Sequence, residues 1–133
     1  MRSWEEDFNA AIKLRDAGRP SEAIELLVPL LALEVESRSA AAAINGELGG
    51  LYLFDLHRPE EAEAFYRRAR ELSPASETAS IGLFHSLMGQ LKILEGLSEM
   101  LRFLEREPEC EEYNFVLKEI AMALDGKIVP IRR

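Results

Sequence analysis

The sequence predicts an all-α fold, a solenoid of stacked helical hairpins, and three observations carry that reading. Apolar residues recur at spacings of three and four. Leu48, Tyr52 and Leu56 share one helical face, and Ala62, Phe65, Tyr66, Ala69 and Leu72 share the next. Helix breakers interrupt this pattern at Gly18/Pro20, Arg58/Pro59 and Gly89/Gln90. Segments also return at a fixed interval: Leu48, Gly49 and Tyr52 reappear 33 residues later as Ile81, Gly82 and His85, and Pro108 follows Pro74 by 34.

The elements follow in order. Ser3 caps a first helix near 3–17, with Glu5, Glu6 and Asp7 in its first turn and Phe8, Ala11, Ile12 and Leu14 on one face. Gly18 stops it. Pro20 and Ser21 open a second helix bearing Ala23, Ile24, Leu27, Leu30 and Leu31, with a kink expected at the internal Pro29. Ser37 or Ser39 caps a third helix running through the alanines 40–43 to about Phe54. A fourth spans about 59–72: Pro59 opens it, Glu60, Glu61 and Glu63 lie toward its positive end, and Arg67, Arg68 and Arg70 toward its negative end. A fifth begins near Ser76. Gly89 and Gln90 mark the next turn, with a connection expected to be longer than the others. A sixth helix then carries a stripe of Leu94, Leu97, Met100, Leu101 and Leu104. A seventh covers 109–125, with Phe115, Val116, Ile120 and Leu124 as its buried face, and residues 127–133 form a short basic tail, equally suited to docking and to disorder.

At 133 residues and 47% hydrophobic content the chain makes one domain, 1–126, with a sizeable core. A net charge of −8 disfavours nucleic acid, whose phosphates are bound by lysine and arginine, and suits a basic partner or simple solubility. A lone cysteine, Cys110, allows neither an internal disulfide nor a cysteine metal site and fits a reducing compartment. The start, MRSWEEDFNAA, lacks the pattern of a signal peptide, and no apolar run approaches 18 residues. The expectation is a cytoplasmic protein with no membrane association.

Leu48, Gly49, Tyr52, Ala62, Tyr66, Ala69 and Pro74 together resemble the tetratricopeptide repeat, a 34-residue helix-turn-helix unit. Gly18 and Ala23 have the spacing of that family's turn glycine and first small residue. The resemblance implies three repeats, about 3–36, 38–74 and 76–108, closed by a solvating helix at 109–125. Between Tyr52 and Ala62 the chain has one residue more than the family pattern, with Leu56 or His57 where the turn glycine would stand.

No catalytic constellation is legible. His57 and His85 belong to no HExxH-like pair, the glycines at 46, 49 and 50 make no phosphate loop, and the glutamate clusters fall at helix starts and turns. The expectation is therefore no enzyme, no metal and no cofactor. The resemblance places the first helix of each hairpin along a concave face. This implies a partner-binding surface of Phe8, Ile12 and Arg15 from the first repeat, Gly46, Gly50, Leu53 and Phe54 from the second, and Ala79, Leu83, Ser86 and Leu87 from the third. Asp55 and His57 stand at an exposed edge. The alternative for several of these residues is plain core.

The strings SIGLFHSL at 80–87 and EMLRFLE at 99–105 also look like those of small bacterial repeat proteins encoded beside toxins and thought to act as immunity proteins. That resemblance implies binding and neutralisation of a cognate toxin, and the acidic charge suits a basic one. The competing expectation is an adaptor or assembly chaperone that holds a partner helix or peptide in the groove. A homodimer stays open.

Overall fold

The structure, a computed structural model, describes residues 3–32 and 37–126. Among them lie seven α-helices, one π-helical turn and no strand: α1 (Trp4–Asp16), α2 (Pro20–Ala32), α3 (Arg38–Gly50), π1 (Leu51–Asp55), α4 (Pro59–Leu72), α5 (Glu77–Gly89), α6 (Ile93–Arg106) and α7 (Glu111–Leu124). Each helix from α1 to α6 packs on its neighbour in sequence, and α3 also meets α5, as stacked hairpins require. Serines start α1, α3 and α5. The Oγ atoms of Ser3, Ser37 and Ser76 accept from the N–H groups of Glu6, Ala40 and Ala79 at 3.3, 3.0 and 3.1 Å, satisfying donors that a helix start leaves free. α2 runs through Pro29 to Ala32. No described helix is long and apolar enough to cross a membrane. The tail 127–133 lies outside the described residues.

The three hairpin turns share one backbone device. Gly18, His57 and Leu91 adopt the left-handed conformation (φ 75°, 55° and 63°), each five residues before a buried small residue: Ala23, Ala62 and Gly96. In the first turn the Arg19 N–H donates to the Leu14 carbonyl, and in the third the Lys92 N–H donates to the Leu87 carbonyl, both at 2.9 Å. This is the closure of a Schellman motif. The third connection is thus no longer than the first. The expected longer connection is corrected: Gly89 ends α5, Gln90 lies in the turn as expected, and Leu91 takes the position glycine would favour.

The second turn holds the additional residue. Its closing bond spans one residue more, from the Arg58 N–H to the Tyr52 carbonyl at 2.7 Å. The surplus is taken up in π1, where the Leu56 N–H donates to the Leu51 carbonyl five residues back at 3.0 Å. The third helix therefore reaches Asp55, but only as a widened turn.

The centre of the stack is Tyr66 on α4. Its ring lies in a slot between Gly49 of α3 and Gly82 of α5. A methyl group at Gly49 would stand 2.8 Å from the ring, and one at Gly82 closer still. Burial pushes the Tyr66 phenol up to about 12, with Glu47 adding to the shift. On one side Ala11, Ala23, Leu27, Leu30, Ile44, Leu48 and Leu51 form a core with Phe8 and Phe65 packed on it. Leu83 and Leu87 pack with Tyr66 and Ala62. On the other side Phe84, Met100, Phe103, Cys110 and Tyr113 join α5, α6 and α7, with the Tyr113 ring edge-on to both phenylalanines.

Two expected faces are corrected here. In α6, Met100 and Phe103 are buried, whereas Leu94 and Leu101 are exposed. In α7 the buried residue is Tyr113, with Val116 and Leu117 packed beside it, while Phe115, Ile120 and Leu124 face outward. Both shifts follow from one contact. Tyr113 must reach Ser80 and the two phenylalanines, and that fixes the rotation of α7.

Glu99 is the one carboxylate buried in this core, 4% exposed. Arg102 grips both of its oxygens, Arg70 bonds Oε1 at 2.7 Å, and Ser80 donates to Oε2 at 2.8 Å while pairing with the Tyr113 hydroxyl. Burial alone raises this carboxyl, but the bonds from Arg102, Ser80 and Arg70 outweigh it and leave it below the ordinary value. Glu63 behaves alike. Burial raises it, yet Gln90, Arg67 and Lys92 bring it down to about 2.

Both depressed carboxyls make the fold acid-sensitive. The contribution of Glu63 is complete above the ordinary value of 4.5 and is lost as pH falls through about 2, and that of Glu99 is lost in the same direction. Urea titrations across this window should show a midpoint that falls with pH, with a shallower fall in Glu63→Gln; an unchanged slope would contradict the assignment. Leu91→Gly should instead raise stability by about 0.5–1 kcal/mol, because it relieves a left-handed leucine whose side chain is exposed and packs little. A lower melting temperature would show that Leu91 contributes packing.

Candidate functional site

Three linked depressions run along the face formed by α3, α5 and the start of α7. The first, about 350 Å³, is a valley of small side chains: Ser39, Ala42, Ala43, Gly46, Ala69, Ser73, Ser76, Thr78 and Ala79. Thr78 also borders the second, about 450 Å³, which is lined by Phe54, Tyr66, Glu77, Ile81, Gly82, Glu111 and Glu112. Glu77 and Glu111 in turn wall the third, about 530 Å³, with Glu107, Glu109, Cys110, Ala75 and Phe103. The groove thus passes from a neutral, small-residue floor to an end walled by five glutamates.

Phe54 lines the middle depression with Glu77, Glu111 and Glu112 and is 61% exposed, a large aromatic with little intramolecular packing. Its position follows from π1, since a widened turn rotates the residues after Leu51 relative to an α-helix. Leu51 keeps the buried side and Phe54 and Asp55 point to solvent. Around them Tyr52 stacks on Phe65 with ring centroids 5.5 Å apart, and the Arg58 guanidinium lies over the Tyr52 ring at 5.7 Å. These contacts anchor the turn that presents Phe54.

On the α7 wall the His85 Nε2 and Glu112 Oε2 lie 3.0 Å apart, both side chains open to solvent. Cys110 is buried and its thiol donates to Glu77 Oε1 at 2.9 Å. Burial, then the Glu77 carboxylate, raises its pKa, the opposite of what a thiolate nucleophile requires. Among the described residues no group of three histidine, cysteine or carboxylate side chains is placed to hold a metal ion.

The structure separates the residues that the sequence groups together. Gly46, Phe54 and Ala79 line the groove. Leu83 and Leu87 are buried against Tyr66, and Ser86 is buried with its hydroxyl donating to the Gly82 carbonyl at 2.8 Å. The groove-facing side of α5 is Thr78, Ile81 and Gly82, with His85 next in line. At about 100° per residue, Leu83 and Leu87 fall on the far side of the helix. Leu53 is half-buried against the Tyr66 cluster. Phe8 packs on the first core, edge-on to Trp4, and Ile12 is half-buried. Arg15 is held by Glu47 at 2.7 Å and ties α1 to α3. Asp55 and His57 are exposed beside Phe54.

Of the acidic wall, the sequence places Glu111 and Glu112 only as helix-start charge and gives Glu77 no signal of its own. That charge comes from two helices 34 residues apart, and only the α5–α7 packing brings it together. No protein-family model matches the chain, and no curated protein sequence matches it with significance.

Proposed function

We propose that this chain is a non-enzymatic protein-binding module whose groove accepts a basic partner segment, with Phe54 as the apolar anchor. The observation that carries the reading is the exposed Phe54 in the middle of three linked depressions whose walls hold Glu77, Glu107, Glu109, Glu111 and Glu112. An exposed aromatic beside concentrated charge is the composition of an interface hot spot with a steering rim. The raised thiol of Cys110 and the solvent-open His85–Glu112 pair support binding over catalysis.

Membership of the tetratricopeptide family is part of this proposal. Its support is the shared left-handed turn five residues before Ala23, Ala62 and Gly96. The finer reading is a cytoplasmic immunity protein that holds a basic toxin domain inactive. Its support is the resemblance of residues 80–87 and 99–105, together with the acidic wall. Those two strings supply Ser80, Gly82, Phe84, Glu99 and Phe103, which build the α5–α6 core, with Gly82 and Phe103 also lining the groove. A second reading, an adaptor that captures an extended peptide, is favoured by the floor of Ala42, Ala43, Gly46 and Ala79, where a backbone can approach closely.

Co-expression with the products of neighbouring genes tests both readings. The toxin reading expects one stoichiometric complex and loss of toxicity; the adaptor reading expects several clients and no neutralisation. In either case Phe54→Ala, or deletion of Asp55 to return π1 to an α-helical register, should weaken the complex at least about tenfold and leave circular dichroism unchanged. A complex indifferent to both changes would exclude the groove as the binding surface.

A further inference from the structure

The far side of α5 carries a second concavity, about 510 Å³, between α4 and α6. The buried Leu83 and Leu87 lie beneath it, its lip is Leu94 on α6, 81% exposed, and its rim is Arg67, Arg70 and Arg102 with Ser98, Glu95 and Glu99. The charge around it is unlike that of the rest of this acidic chain. Arg70 and Arg102 share the single carboxylate of Glu99, and Arg67 and Lys92 share that of Glu63. Four cations therefore face three carboxylates even when Glu95 is counted, and a positive excess remains in a molecule of net charge −8.

Donors also remain. Arg67 gives only its Nε to Glu63 and Arg70 only one terminal nitrogen to Glu99, so each guanidinium keeps N–H groups for an incoming carboxylate. Glu99 and Glu63 hold these arginines in place before any partner arrives, which reduces the ordering cost of binding. The exposed leucine supplies apolar area that nothing within the chain covers among the described residues.

We propose that this concavity is a second docking surface, opposite the acidic groove, and that its occupant is an acidic, leucine-bearing helical segment of a partner protein. A leucine of that segment packs on Leu94 within the concavity, while flanking carboxylates meet Arg67, Arg70 and Arg102. The two faces then bind segments of opposite charge, so one chain can bridge two partners, or two parts of one.

A fluorescein-labelled amphipathic peptide of leucine and glutamate, titrated with the full chain and followed by anisotropy, tests this. The expected result is saturable binding that a leucine/lysine peptide does not reproduce at this face. Leu94→Glu and Arg67→Glu should each weaken it at least about tenfold, and Lys13→Gln on α1 should not. Arg70 and Arg102 are avoided as test positions, because their loss strands the buried Glu99. No saturable binding, or binding that survives both substitutions, would overturn the proposal. So would sedimentation showing a dimer dispersed by Leu94→Glu, which makes a second copy the occupant.

Discussion

The arrangement of the helices depends on one ring in one slot. Tyr66 fits between Gly49 and Gly82 because neither position carries a side chain, and the contact sets how closely α3 and α5 approach α4. Close approach lets Leu48 and Leu51 complete the core on one side, while Leu83 and Leu87 pack against the ring with Ala62. A large residue at either glycine would part the helices and open both clusters together, since a packed interior has no spare volume. The groove floor depends on the same contact, because Tyr66 and Gly82 line it.

The irregularity in the second turn decides which side chains the surface presents there. Three turns use the same left-handed residue and the same spacing to a small buried residue, but the second has a residue to spare. A π-helical turn absorbs it without moving Ala62 or Tyr66 from their places. Such a turn has a poorer hydrogen-bond ladder than an α-helix and tends to survive where it serves a purpose. Here it leaves Phe54 and Asp55 on the surface beside the glutamates of α5 and α7.

Much of the fold was legible in the sequence, because helix caps, turn residues and the return of Leu48-Gly49-Tyr52 as Ile81-Gly82-His85 act locally. The surplus residue before Ala62 was legible too, as a departure from spacing. What escaped was rotation. Periodicity alone gives Leu94, Leu101, Phe115 and Leu124 the same claim to burial as Phe103 and Tyr113, and only the fit of Tyr113 against Ser80, Phe84 and Phe103 decides between them. The candidate site is affected most: Leu83, Ser86 and Leu87, placed on the partner-binding face by resemblance, are buried, the core alternative that the sequence also leaves open. Glu99 escaped for a related reason: a glutamate in a charged helix gives no sign of burial until Arg70, Arg102 and Ser80 are seen around it.

The claim that Tyr66 between two glycines sets the helix spacing is tested most directly by a double-mutant cycle, with unfolding free energies measured for Gly82→Ala alone and with Tyr66→Leu already in place. Alone, Gly82→Ala should cost about 2 kcal/mol, because the methyl group meets the ring and the ring has nowhere to go. With Tyr66→Leu in place the same change should cost little or even stabilise, since alanine is the better helix former by about 1 kcal/mol. An equal cost in both backgrounds would mean that Gly82 is needed for some reason other than the ring, and that the helices are spaced by something else.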